Sequence, residues 1–90
     1  MDNLDSEMIS PAILCDVILT EWMGQGRTGF EIRALRQEME LYYLNAGLTV
    51  PPEIGDPRRL VPVRRLLEAR PDRVSSVDPA AIHWRFTTAS

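Results

Sequence analysis

The sequence predicts an α+β domain: three helices followed by a C-terminal two-stranded β-hairpin. Three observations carry that expectation. Two stretches in the first half repeat apolar residues every three or four positions, the period of a helix with one buried face. Near the end, Ile82, Trp84 and Phe86 alternate with His83, Arg85 and Thr87, the period of a half-buried strand. Between them lies a short apolar run carrying arginines and bounded by prolines, which reads as a third, shorter helix.

Residues 1–9 form an acidic arm, expected to be flexible, and residues 10–90 a single domain. Ser10-Pro11 starts the first helix: the serine hydroxyl can cap, and a proline at the first position loses no helical hydrogen bond. Ile13, Leu14, Val17, Ile18 and Trp22 make its expected inner face, and Gly24-Gln25-Gly26 ends it. No strand is expected between the first two helices. The second helix is expected to start at a capping box of Thr28 and Glu31, where each side chain satisfies an orphan N–H of the first turn. Ile32, Leu35, Met39, Tyr42 or Tyr43, and Ala46 follow on one face, with Arg33, Gln37 and Glu40 opposite, and Gly47 closes the helix.

Residues 48–57, with Pro51-Pro52 and Asp56-Pro57, read as a loop. The third helix can start at Pro57 or Pro62. From Pro62, Val63, Leu66 and Leu67 face inward while Arg64, Arg65 and Glu68 face out, and Pro71 stops the helix. Arg73–Val77 is a short strand, Asp78-Pro79 a turn, and Ile82–Thr87 the last strand.

Ninety residues with 44% apolar content suffice for one core. The single cysteine, Cys15, excludes an intramolecular disulfide framework and fits a reducing compartment. It stands among apolar neighbours, without the basic surroundings that make a thiolate. There is no apolar run long enough to cross a membrane and no basic leader, so a soluble, cytoplasmic protein is expected. The net charge of −3 hides a division. Residues 1–56 hold ten acids and three arginines, a net of −7, whereas residues 57–90 hold seven arginines and three acids, a net of +4. All ten basic residues are arginine, whose planar fork suits phosphate and base edges, but codon usage explains this more readily than binding does.

That helix–helix–helix–strand–strand order resembles the winged helix-turn-helix superfamily across residues 10–87. The resemblance rests on Val63-Arg64-Arg65-Leu66-Leu67-Glu68-Ala69-Arg70-Pro71-Asp72-Arg73-Val74 leading into Ile82-His83-Trp84-Arg85-Phe86. It implies a winged-helix-like domain whose hairpin is the wing and whose third helix enters the major groove of duplex DNA. Superfamily members that bind DNA often act as dimers, and others bind proteins.

Arg58, Arg59, Arg64, Arg65, Arg70 and Arg73 are the cluster with most functional content. Arg64 and Arg65 on the exposed face of the third helix would meet base edges. Arg58, Arg59, Arg73 and Arg85 would hold phosphates. Arg27, beside the amides expected to be free at the start of the second helix, would hold another. Adjacent helical positions cannot share one core face, so one of Tyr42 and Tyr43 is expected outside; with Leu44 they could extend into a homodimer interface.

Other motifs resolve to structure. Gly24-Gln25-Gly26-Arg27-Thr28-Gly29 spells the dinucleotide fingerprint, but a helix precedes it where the fingerprint needs a strand. It reads as a helix–helix turn. His83 has no metal-ligating neighbours in sequence and is expected at the surface. Ser75, Ser76, Asp78 and His83 lack the pocket and oxyanion hole of a hydrolase, so no catalysis and no cofactor are expected. Trp22, Trp84 and Phe86 are expected in the core.

The leading functional expectation is therefore a small DNA-binding protein, a regulator or the DNA-contacting part of a complex. The rival is a protein–protein adaptor on the same scaffold, and a weaker third is an acidic DNA mimic. An open arginine face over residues 57–73 favours DNA; pairing of those arginines with Glu31, Glu38 or Glu40 favours the adaptor.

Overall fold

The computed structural model describes residues 9–87; the acidic arm expected over residues 1–9 lies outside them, apart from Ile9. Among the described residues, four helices and a three-stranded antiparallel sheet make an α+β fold. In chain order these are α1 (Pro11–Gly24), β1 (Gly29–Glu31), α2 (Ile32–Asn45), a single turn α3 (Pro52–Gly55), α4 (Val61–Glu68), β2 (Val74–Ser76) and β3 (His83–Phe86).

Helix α1 starts as its sequence requires: Ser10 Oγ accepts a hydrogen bond from the Ala12 amide at 3.1 Å, and Pro11 stands at the first position. Its inner face is rotated from the expected one. Leu14, Cys15, Ile18, Leu19 and Trp22 are buried, while Ile13 and Val17 are exposed. The helix carries apolar residues at 12–15 and 17–19, so two overlapping stripes share Leu14, Ile18 and Trp22. Packing against α2 and α4 selects the one with Cys15 and Leu19.

The start of α2 corrects the capping-box expectation. Residues 29–31 form a strand, the helix begins at Ile32, and Glu31 at the N-cap makes no side-chain cap. Thr28 serves through its backbone carbonyl, which accepts from the Phe86 amide at 3.0 Å. A strand thus lies where none was expected, because it is only three residues long and its hydrogen-bonding partner is some fifty residues away. On α2, Ile32, Leu35, Met39 and Tyr43 are buried as expected, whereas Ala46 is exposed. Arg36 is buried among them. Its Nη1 donates to Glu40 Oε1 and to the Ile54 carbonyl, both at 2.8 Å, which ties α2 to the α3 turn. The segment 48–57 is therefore no plain loop: α3 places Ile54 in the core.

Strand β3 lies in the middle of the sheet, in the order β1-β3-β2. Gly29, Phe30 and Glu31 face Arg85, Trp84 and His83; Val74, Ser75 and Ser76 face Phe86, Arg85 and Trp84. Phe30, Val74, Trp84 and Phe86 point into the core. There Trp22, Phe30 and Phe86 form a tilted aromatic chain with successive centroids 5.3 Å apart, a favourable edge-inclined geometry. Trp84 Nε1 donates to the Ala81 carbonyl at 2.8 Å, so the ring is buried without an unpaired donor. Ala81 itself sits at φ 58°, in the left-handed region.

Two tests follow from this packing. Trp84→Ala is expected to cost about 3–5 kcal/mol in urea unfolding, as for other buried aromatics. A Cβ on Gly29 would stand 2.6 Å from the Trp84 carbonyl oxygen. Gly29→Ala is therefore expected to destabilise by about 1–3 kcal/mol, while Thr28→Ala changes stability by less than about 0.5 kcal/mol. The reverse order would restore the capping box.

Candidate nucleic-acid interface

The arginines divide according to whether a carboxylate holds them. Arg33 Nε lies 2.8 Å from Glu31, and Arg36 meets Glu40. Arg64 Nε is 3.5 Å from Glu68 Oε2, an ion pair without an aligned hydrogen bond, so this buried N–H is left unsatisfied. Arg70 makes a two-pronged contact with Asp16, Nε to Oδ1 at 2.6 Å and Nη2 to Oδ2 at 2.9 Å. That fork joins the segment after α4 to the middle of α1. The hydrogen bonds from Arg70, reinforced by its charge, hold the Asp16 carboxyl below its ordinary value against the opposing effect of burial.

Arg27, Arg58, Arg59, Arg65, Arg73 and Arg85 have no carboxylate partner among the described residues. They fall in two groups. Arg58 and Arg59 are exposed just before α4, and Arg65 is exposed on its outer face. The path of the chain there is fixed by Asp56, whose Oδ1 accepts from the Arg58 amide at 2.9 Å. The second group gathers where β3 ends. Arg85 stands on the outer face of β3; Thr28, next to Arg27, and Arg73 both hydrogen-bond the backbone just beyond Arg85. Arg73 Nη1 also donates to Thr20 Oγ1 at 2.8 Å, and the Arg27 guanidinium lies 4.5 Å from the Trp22 ring centroid.

Two of the sequence expectations change here. The amides expected to be free beside Arg27 at the start of α2 are taken only in part. The Ile32 amide donates to the Ile82 carbonyl at 2.8 Å, and the carboxylate of Glu31, the N-cap residue, pairs with Arg33 instead of capping, which leaves a negative group near the amides a phosphate would use. Tyr43 is withdrawn from an interface: its ring is buried and its hydroxyl donates to the Ile9 carbonyl at 2.6 Å. Tyr42 and Leu44 are exposed. None of Glu31, Glu38 and Glu40 pairs with an arginine of residues 57–73 among the described residues.

The outer face of the sheet and its loop hold the remaining polar cluster. Asp78 Oδ1 accepts from the Ile82 and His83 amides at 3.0 and 3.2 Å, closing the loop before β3. Burial works to raise the Asp78 carboxyl, and these hydrogen bonds with the His83 ring outweigh it, so the group lies below its ordinary value. His83 is exposed, with Asp78 3.4 Å from Nδ1 and Glu31 3.8 Å from Nε2. Ser75 and Ser76 form no hydrogen bond with it among the described residues. Cys15 is buried in the core, and that burial, with Asp16 beside it, pushes its thiol up to about 12. No group of three or more metal-ligating side chains occurs among the described residues, nor does a helix long and apolar enough to cross a membrane.

Comparison with protein-family models, curated proteins and solved structures finds no match to this chain.

The Asp16–Arg70 fork makes stability depend on pH in a defined direction. A carboxyl with a lowered folded-state value stabilises fully above its ordinary value of 3.8 and loses that contribution as pH falls through the lower folded value. Asp16→Asn is therefore expected to reduce stability at neutral pH and to flatten the acid limb of a stability–pH curve. Parallel curves for the two proteins would show that the fork contributes nothing.

Proposed function

We propose that this chain is a winged-helix DNA-binding domain, acting as a small regulator or as the DNA-contacting part of a complex. The observation that carries the reading is the set of six arginines without a carboxylate partner among the described residues, in a chain whose net charge is −3. An acidic chain has carboxylates to spare, yet those of the described residues leave these six unmatched. The element order and the β1-β3-β2 sheet support the same reading, since they put α4 and the β2–β3 hairpin beside each other in the chain and join the hairpin to β1.

In this reading α4 enters the major groove and Arg65 meets a base edge with its planar fork. Arg64, held by Glu68, contributes less than its neighbour. Arg58 and Arg59 take phosphates at the head of the helix, and Arg27, Arg73 and Arg85 take phosphates around the end of β3. The wing face is mixed in charge, because Glu31 and Asp78 flank His83 on it. Affinity for DNA then depends more on the α4 group than on the sheet.

The test is a fluorescence-anisotropy titration with random-sequence duplex DNA at about 50 and 200 mM salt, the range over which phosphate contacts are lost. Binding is expected to weaken steeply between the two. Arg58→Ala with Arg59→Ala is expected to lower the slope of log affinity against log salt by about 2. Arg65→Ala is expected to cost about 1–3 kcal/mol on a selected site, with the melting temperature unchanged. Absence of binding at the lower salt would discard the DNA reading in favour of the adaptor.

A further inference from the structure

We infer that the groove between α1 and α2 docks a basic amphipathic helix of a protein partner. The groove encloses about 390 Å³ and is lined by Val17, Glu21, Glu38, Leu41, Tyr42 and Asn45. Val17 also lines a second depression with Ile13, Asp16 and Thr20, so the apolar surface continues along α1. Ile13, Val17, Leu41 and Tyr42 are 61, 48, 42 and 43% exposed. Scattered apolar residues on a surface need no explanation, but four that line adjoining depressions on two neighbouring helices form a patch. Two helices lying side by side leave a channel whose ridges accept a third helix.

Charge selects the occupant. Glu21 and Glu38 stand in the groove without a basic partner among the described residues, and no arginine lines it. The neighbouring Asp16 is already neutralised by Arg70. Residues 1–8 of this chain carry Asp2, Asp5 and Glu7, which the same carboxylates repel. A second copy presenting the same groove would bring its own Glu21 and Glu38 into a face that already holds two carboxylates and no arginine, equally unfavourable. A helix with an apolar stripe flanked by lysine or arginine fills the groove and meets both carboxylates. This site contains none of the six arginines, so the protein can hold such a partner and a polyanion at separate places.

The probe is a synthetic helical peptide of about 14 residues, with leucines at helical spacing flanked by lysines, titrated into the isotope-labelled full chain by NMR. Its counterpart carries glutamates in place of the lysines. The lysine peptide is expected to shift the amide signals of Val17, Glu21, Glu38 and Leu41, and the glutamate peptide to leave them in place. Glu21→Gln with Glu38→Gln is expected to weaken binding about tenfold. Leu41→Asp is expected to weaken it at least as much. All three side chains are exposed, so the circular-dichroism melt should stay unchanged and report on folding independently. No binding by the lysine peptide, equal binding by the glutamate peptide, or shifts outside the groove would each overturn the proposal. So would sedimentation showing that the free chain self-associates and that Leu41→Asp abolishes this, since the occupant would then be a second copy.

Discussion

Strand β3 has hydrogen-bonding edges on both sides, and the chain supplies partners for them from two distant places. β2 comes from the segment just before it, whereas β1 comes from between α1 and α2. Joining residues 29–31 to residues 83–85 closes a long loop, whose entropy only tertiary contacts can offset. Those contacts are the aromatic chain of Trp22, Phe30 and Phe86 and the Trp84 ring with its satisfied N–H. Because β1 runs directly into α2, the same pairing fixes where α2 begins and hence which of its residues face inward. The absence of a side chain at Gly29 is part of this constraint, since the backbone of β3 passes too close for one.

Two arginines are consumed in holding the helices around that sheet. Arg36 stitches the α3 turn to α2, and Arg70 ties the chain after α4 to α1. Arg36 is buried and its Nη1 makes both contacts, so loss of Glu40 would leave a charge with little solvent and no counter-ion among the described residues. Arg70 is about a third exposed, and its fork provides orientation more than energy. Both lie at joints between elements, where a rigid, planar donor fixes an angle that a flexible ammonium would leave looser. Arg33 and Arg64 pair with carboxylates on or beside their own helices and Arg73 donates to Thr20, while Arg58, Arg59, Arg65 and Arg85 keep their donors for solvent or a ligand. The charge division read along the chain is thus only partly a division of function.

Charge is also segregated in space. The α1–α2 groove is apolar and acidic, and the surroundings of α4 and of the end of β3 carry the arginines that have no carboxylate partner among the described residues. Segregation of this kind lets one small domain present two surfaces of opposite character without either neutralising the other. The pI of about 5.0 follows from composition, 13 carboxylates against ten arginines, and does not reveal the concentrated basic region.

The sequence by itself determined the elements whose signals are local. The Ser10 cap, the helical periods of residues 11–24 and 32–45, the short helix after Pro62 and the alternation of Ile82–Thr87 all depend on neighbours within a few positions. The exposed candidates Arg58, Arg59, Arg65 and Arg85 were legible for the same reason, since each stands opposite an apolar position or in a polar loop. What only the tertiary structure decided depends on residues far apart. Local spacing made Thr28 and Glu31 a capping box, but a strand partner more than fifty residues away claimed the same backbone. Two apolar stripes on α1 were equally good as helix faces, and packing chose between them, leaving Ile13 and Val17 outside. No local signal marks Arg36 or Arg70 as a joint; Ile54 and Asp16 are brought against them only by the fold. A one-dimensional pattern encodes what a residue does within its own turn or strand. Which partner satisfies a buried amide or a charge is settled by distances that exist only once the chain has closed on itself.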